Sequence, residues 1–365
     1  MENYSNYNRR KTRTVDIGGV LIGGENSVKV QSMNNTLTSD INATLKQINE
    51  LYEAGCDITR VAIPNADAAL ALKEITSKSP IPVVADIHFD YRLAIMAAEN
   101  GAAKIRINPG NIGGMENVKK VADCCKERGI PIRVGVNSGS VEKSLIAKYG
   151  GVCKEAMTES CLGAVKMLED ADFDNIVISI KSSSPALTVE TYKLLSQKVD
   201  YPLHVGVTEA GTVRGGIIKS SVGIGALLSQ GIGDTIRVSL TGNPVDEVYA
   251  GISILKALDL RKGGITFISC PTCGRTRVPL IEIAQRIESR IISLPYDMKV
   301  AIMGCAVNGP GEASDADIGM AGGDGEFLLF KKGEVVRKIP AEIAEDEFVN
   351  EVKKLGAELS DIKTD

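Results

Sequence analysis

Between Val28 and Leu240, eight short apolar runs alternate with helix-patterned stretches, and this alternation restricts the chain to a parallel sheet covered by helices. The runs occupy positions 28–33, 58–63, 83–88, 104–108, 132–137, 176–181, 203–208 and 235–240. Between them the periodicity predicts helices such as 41–54, which places Ile41, Leu45, Ile48 and Leu51 on one stripe behind a cap at Ser39 or Asp40. Asp67 and Thr188 are similar candidate helix starts, and Pro64 and Pro244 mark exits from strands. Eight units in about 260 residues suit a closed (β/α)8 barrel of the TIM type. The count of eight argues against an open doubly wound sheet.

Composition narrows the partners. Aromatics make up only 4% and Trp is absent, so the core rests on Ile, Val, Leu and Ala, which suit parallel strands beneath helices. Lys and Arg number 42 against 46 Asp and Glu, a net charge of −4; this excludes a global nucleic-acid field, so any anion site is local. Residues 1–14 are polar, carry Arg9, Arg10, Lys11 and Arg13, and read as a solvated, mobile tail without the apolar stretch of a signal peptide. No later run is long enough to span a bilayer, so no membrane role is expected. The eight cysteines lack the spacing of a secreted disulfide scaffold. The expected location is the cytoplasm, where a close Cys pair points to metal or redox chemistry.

Four of the runs carry an arginine between apolar neighbours: Arg60, Arg106, Arg133 and Arg237. Side chains alternate faces along a strand, so apolar flanks packed under helices turn these arginines into the barrel. Uncompensated buried guanidinium groups cost several kcal/mol each. Four together, joined by Lys181, need an anion among them, and phosphate or diphosphate oxygens match the guanidinium fork. Neutralisation by internal carboxylates such as Asp86 and Glu209 is the alternative. Further polar residues fall at the strand C-termini, the rim where barrel enzymes place their chemistry: Asp86, His88, Asn108, Asn137, Lys181, Thr208, Glu209 and Ser239. His88 and His204 are the only two histidines, and either a hydrogen-bonding or a catalytic role suits them. Lys219-Ser220-Ser221 reads as a further anion contact or as a helix surface.

Around Arg261-Lys262-Gly263-Gly264 the repeat stops, dividing the chain into a barrel over 1–261 and a small α+β domain over 262–365. The latter reads as a strand over 265–269, a helix over 278–292, a strand over 299–303, a hairpin over 326–339 turning at Lys331 to Glu334, and a closing helix over 341–355. Cys270-Pro-Thr-Cys273 follows the first strand and Cys305 the second. Zinc normally takes four Cys or His ligands, and no His lies beyond His204. Glu312, beyond a glycine-rich turn, supplies a carboxylate; three thiolates with one displaceable oxygen ligand describe an iron–sulfur cluster with one iron open to substrate. Cys56, Cys124, Cys125, Cys153 and Cys161 read as core or surface thiols.

Cys270-Pro-Thr-Cys-Gly, Gly304-Cys-Ala-Val-Asn-Gly-Pro-Gly-Glu312 and Ala316-Asp-Ile-Gly-Met-Ala-Gly-Gly323 together closely resemble the 4-hydroxy-3-methylbut-2-enyl diphosphate synthases, reductive enzymes of the methylerythritol phosphate route to isoprenoids. Thr59 to Pro64, Ala85 to His88, Lys104 to Gly110, Ile132 to Asn137, Val205 to Gly211 and Asp234 to Ser239 are similar to that family's barrel segments. The resemblance runs from about Thr12 to the end, with no inserted domain, as in the shorter bacterial two-domain form.

The resemblance implies a [4Fe–4S] cluster on Cys270, Cys273, Cys305 and Glu312 in a sulfite-reductase-like domain. It implies an oxidoreductase acting on CH or CH2 groups, which opens and dehydroxylates 2-C-methyl-D-erythritol 2,4-cyclodiphosphate with two electrons. Arg60, Arg106, Arg133, Lys181, Arg237 and Ser239 would hold the diphosphate, with Asn108, Asn137 and His204 also in the substrate site. Asn308 would orient the substrate hydroxyl, and Glu209, Asp86 and His88 are the candidate proton donors. Flavodoxin or ferredoxin would supply electrons to a head-to-tail homodimer. A pterin-type barrel transferase would share the phosphate site without needing the thiolates and Glu312; an electron carrier would need a cluster without inward arginines.

Overall fold

In the computed structural model, which describes residues 8–292, 294–307 and 309–362, each of the eight runs contains a strand. These are β1 (Lys29–Met33), β2 (Ile58–Ala62), β3 (Val83–Asp86), β4 (Lys104–Ile107), β5 (Ile132–Asn137), β6 (Ile176–Lys181), β7 (His204–Val205) and β8 (Thr235–Ile236). They pair in the order β6-β5-β4-β3-β2-β1-β8-β7, all parallel, and a parallel bridge between Ile178 and Leu203 joins the two ends. The result is a TIM-type barrel with helices outside. β7 and β8 stop short of the predicted runs. At Gly206 the backbone passes so near its neighbours that a Cβ would meet Arg237 O at 2.4 Å and Lys181 Nζ at 2.9 Å.

The barrel's lower interior fixes which side chains point inward. An antiparallel hairpin, Val15–Ile17 with Val20–Ile22, contributes Ile17 and Ile22 to an apolar plug with Ile58, Val84 and Val177. Two residues further along those strands stand Arg60, Asp86 and Ser179, and the two-residue period turns them to the same interior. Apolar material therefore fills the bottom, and polar material fills the upper layers.

Several helix starts differ from the sequence reading. Asp40 caps helix Ile41–Glu53 as expected, accepting from Ala43 N. The next helix, Ala66–Lys78, is capped by Asn65, with Asp67 in its first turn, where the helix dipole also favours an acid. Helix Pro185–Ser196 is capped by Ser184; the Thr188 hydroxyl is instead buried against Ser182. Pro244 opens helix Pro244–Ala257 behind Asn243. Lys219 is exposed on helix Val213–Leu228 while Ser220 is buried, and neither lines the cationic cavity described below.

The expectation of a solvated tail is corrected from residue 8 onward. Arg9 pairs with Asp234 at 2.9 Å, and Arg10 donates to the carbonyls of Ser196, Val199 and Tyr201. Arg13 pairs with Asp200 at 2.9 Å and lies 4.3 Å over the Tyr201 ring. Carbonyls left at the ends of helix and strand offer arginine better partners than water does. Residues 1–7 lie outside the described residues.

The chain divides into two compact units, Met1–Arg261 and Lys262–Asp365. In the second, β9 (Ile265–Ser269), β10 (Met298–Met303) and β11 (Ile318–Gly322) are parallel, while β12 (Glu326–Lys331) and β13 (Glu334–Pro340) continue antiparallel. Helices Leu280–Ile291 and Ala344–Ile362 bury Ile283, Ile287, Ile291, Phe348 and Val352 against the sheet. The β12–β13 turn has Lys332 at φ 49° and Gly333 at φ 80°, the mirror-image turn that suits a twisted hairpin. β11, unread as a strand, passes Gly319 under Phe330; a Cβ there would meet the ring at 2.1 Å. No helix among the described residues is long and apolar enough to cross a membrane.

Candidate active site

A cavity of about 240 Å³ opens at the C-terminal ends of the barrel strands, lined by Met33, Arg60, Asp86, His88, Arg106, Arg133, Asn137, Ser179, Lys181, Thr208, Arg237 and Ser239. All four strand arginines face it. Four arginines and Lys181 meet two carboxylates: Asp86, which pairs with Arg106 at 3.0 Å and Arg60 at 3.8 Å, and Glu247, which pairs with Arg237 at 3.2 Å. Internal carboxylates therefore compensate the cluster only in part. Glu247, not Glu209, supplies the second: it projects from helix Pro244–Ala257 and also accepts from Ser32 and Leu240 N.

Arg133 is the least compensated member. It is 1% exposed, and its Nε and Nη1 have no hydrogen-bond partner. Burial, followed by the like charges of Arg60 and Arg106, pushes its pKa well below the usual guanidinium range. Burial lowers Arg60 to about 10 despite the help of Asp86. For Asp86, burial acts upward, but Arg60, the His88 hydrogen bond, Arg106 and Arg133 outweigh it and hold the carboxyl well below its ordinary value. Arg106 lies across Gly135, where a Cβ would fall 2.4 Å from Nε, and it donates to Gly135 O. Glycine here makes room for the guanidinium.

Beneath the cavity lies a layer that sequence reasoning missed in part. Lys181 Nζ is 3.2 Å from His204 Nε2, and His204 Nδ1 is 2.7 Å from Thr235 Oγ1. The Tyr192 hydroxyl donates to His204 O and accepts from Ile180 N. Lys104, 0% exposed, reaches Gln31 Oε1 at 3.5 Å. The same two-residue period that turns Arg106 inward does so for Lys104.

The remaining expected residues are placed as follows. His88 is exposed at the rim with Nε2 3.6 Å from Asp86. Asn137 and Ser239 line the cavity, whereas Asn108 is buried outside the lining and caps the turn Pro109–Asn111 through Gly110 N. His204 sits behind Lys181. Glu209 is exposed at φ 51°, outside the lining. Asn308 lies outside the described residues. A larger groove, about 610 Å³, runs along helices Val213–Leu228 and Pro244–Ala257, but its walls are mainly apolar and hold no cation for an anionic ligand.

In the second unit, β9 and β10 pair in register from Ile265 with Met298 to Ser269 with Ile302, so their C-termini emerge side by side. Cys270 follows the first, Cys305 the second, and Gly304 N donates to Cys270 Sγ at 3.2 Å. The Cys273 loop is pinned to the same place: Thr276 N donates to Cys273 O, and Arg277 N to Gly304 O. Gly309 N donates to Cys305 O and opens the turn Gly309–Glu312. A Cβ at Gly309 would meet Ala321 at 2.8 Å and Met303 at 2.9 Å, so glycine seats this turn on the sheet. Cys270, Cys273 and Cys305 are free thiols, intermediate, exposed and intermediate in accessibility. No group of three or more His, Cys, Asp or Glu among the described residues is gathered around one point as a single metal ion requires. A four-iron cube takes a ligand at each corner, and three soft thiolates, one already accepting a backbone N–H, fit that donor set. By contrast, Cys56, Cys125 and Cys161 are core thiols, pushed by burial to about 12.

A barrel with a buried cationic cavity at its strand C-termini, followed by a thiol-bearing α+β unit, defines a barrel protein built to hold an anionic ligand. Residues 12–252 match the GcpE TIM-barrel domain and residues 266–354 the GcpE protein C-terminal domain. The chain belongs to the GcpE family. It is 59% identical over 347 residues to a protein of Ruminiclostridium cellulolyticum, covering 95% of this chain and 98% of that one. It is 57% identical to one of Clostridium acetobutylicum (95% and 99% covered) and 52% identical to one of Fusobacterium nucleatum (98% and 99%). All three relatives are named 4-hydroxy-3-methylbut-2-en-1-yl diphosphate synthase (flavodoxin).

Proposed function

We propose that this chain is a cytoplasmic oxidoreductase that converts 2-C-methyl-D-erythritol 2,4-cyclodiphosphate to (E)-4-hydroxy-3-methylbut-2-enyl diphosphate, with flavodoxin as electron donor. The observation that carries this reading is the cavity's excess of buried cations, with two Arg133 nitrogens left unpartnered, in a chain so similar to its named relatives. Arg60, Arg106, Arg133, Lys181 and Arg237 hold the diphosphate oxygens through charge-assisted hydrogen bonds, and Ser239 and Asn137 add neutral donors at the rim. Asp86 keeps Arg60 and Arg106 in place without cancelling the site. Of the three candidate proton donors, His88 has the support of geometry, since it lines the cavity with Nε2 3.6 Å from Asp86, whereas Asp86 is held as a carboxylate by Arg60 and Arg106 and Glu209 lies outside the lining. Asn108 acts by shaping the rim loop, and His204 by orienting Lys181.

Cys270, Cys273, Cys305 and Glu312 are the residues that would hold a [4Fe–4S] cluster. When bound, it supplies electrons one at a time and Lewis acidity toward an oxygen. The chain's own part is to fix the ligand loops by the β9–β10 register and to set a backbone N–H against Cys270 Sγ. The domain limits 1–261 and 262–365, the role of Asn308 and a head-to-tail homodimer belong to the same proposal. The test is anaerobic turnover of the cyclic diphosphate with a chemical reductant, the product being identified by mass. Formation of the linear allylic diphosphate is expected; recovery of intact cyclic diphosphate from cluster-loaded protein would refute the assignment.

A further inference from the structure

Lys104 has no place in the site as described above, yet its position demands a role. It is 0% exposed, it does not line the cavity, and its partner is a neutral amide oxygen at 3.5 Å. Gln31, which supplies that oxygen, leaves its own Nε2 without a partner. The charges acting on Lys104, from Arg133 and Arg60, are both positive. From the other packed strands, His204 on β7 is neutral and already engaged by Thr235 and Lys181, while Asp86 on β3 is held by Arg106 and Arg60. Glu247, from helix Pro244–Ala257, is held by Arg237. Among the described residues no carboxylate is left to pair with a charged Lys104, and a lone buried ammonium is among the costliest groups a protein holds.

We propose that Lys104 is a positioning residue that stands as a neutral amine in the empty site and takes up a proton from solvent when a diphosphate ester enters, with Lys181 sharing in the uptake. This rests on the functional reading above and deepens it: the site binds its ligand as a salt whose last cation is made on demand. In the empty barrel, burial first and then Arg133 and Arg60 keep Lys104 well below its ordinary pKa, and Lys181 is lowered by burial and four arginines. A diphosphate adds negative charge among the same arginines and removes the reason for the amine to stay neutral. The linkage has a definite sign. The complex binds more protons than the free protein in the window between the free and bound pKa values, so affinity is greatest at lower pH and falls as pH rises through the bound value.

The test is calorimetric titration of the cluster-loaded holoenzyme with inorganic pyrophosphate and with the cyclic diphosphate. Two buffers of low and high ionisation enthalpy are used near pH 8, where the cyclic diphosphate carries no titrating proton and gives the proton count, while inorganic pyrophosphate, which still holds its last proton there, reports affinity only. Wild type should take up about one proton per cyclic diphosphate bound, and Lys104→Met should lose about half of that or more, with a shallower fall of affinity with pH. Lys104→Gln removes the titrating group while still donating to Gln31, and it should show the same loss where the methionine variant fails to fold. Binding with no buffer-dependent heat, or equal uptake by wild type and both variants, overturns the proposal and leaves the functional reading standing. Absence of binding by either anion would overturn both.

Discussion

Replacing Arg133 by methionine should move binding and stability in opposite directions. The guanidinium is buried, 1% exposed, with Nε and Nη1 unpartnered, and it is surrounded by like charges. Methionine fills a similar volume without a charge. Exchanging a buried, poorly compensated ion for an apolar side chain is neutral or stabilising by about 1–4 kcal/mol, so the unliganded variant should melt no lower than wild type. Binding should suffer. Two charge-assisted hydrogen bonds at about 1.5–3 kcal/mol each give a loss of about 3 kcal/mol or more. At about 1.4 kcal/mol per decade, that is roughly 100-fold weaker binding at least. Calorimetry with the cyclic diphosphate reads the first quantity, and thermal unfolding of the apo barrel the second. The cluster spectrum should not change. Unaltered affinity would show that Arg133 does not touch the ligand, and a marked loss of unliganded stability would show that its charge is already satisfied; either result refutes the reasoning.

Three further outcomes follow from the same geometry. Glu312→Ala should retain part of the cluster, seen by its visible absorption, and lose most turnover; full turnover would remove Glu312 from the ligand set. Asp86→Asn strands Arg60 and Arg106 without their shared carboxylate and should cost about 3–5 kcal/mol at neutral pH, measured by urea unfolding. Because Asp86 is held below its unfolded value, its contribution is present above about pH 4 and drains away as pH falls further, so wild type and variant should converge in acid. Gly135→Ala should push Arg106 off its seat and weaken pyrophosphate binding, whereas an unchanged affinity would mean the guanidinium moves at no cost.

How far the sequence alone reaches depends on the kind of signal. The barrel strands were legible because strands buried on both faces read as unbroken apolar runs, and the inward arginines because the period of two leaves no choice. Glu247 was not, since it enters the barrel's charge balance from a helix, while Glu209 at a strand end drew the attention. Lys104 opens the run 104–108 and was not singled out as an inward cation, although it stands two residues before Arg106. Asp67 and Thr188 misled because acids in a first turn and hydroxyls near a cap share the chemistry of the cap itself. The arginines at positions 9, 10 and 13 read as a solvated tail because their partners, among them Asp234 and the carbonyls near Tyr201, are distant in sequence. Short β11 was hidden by its glycines, which make room for neighbours: Gly319 passes beneath Phe330, and Gly322 lies against Val278.

In the function proposed above, an under-neutralised pocket of guanidinium groups holds the diphosphate, and thiolates and Glu312 hold iron. An anaerobic crystal structure with the cyclic diphosphate, recorded with anomalous data at the iron edge, addresses both halves at once. Phosphate density is expected among Arg60, Arg106, Arg133, Lys181 and Arg237, with Arg133 Nε and Nη1 newly partnered, and iron at Cys270, Cys273, Cys305 and Glu312. Phosphate density elsewhere, or zinc on the cysteines, would contradict it.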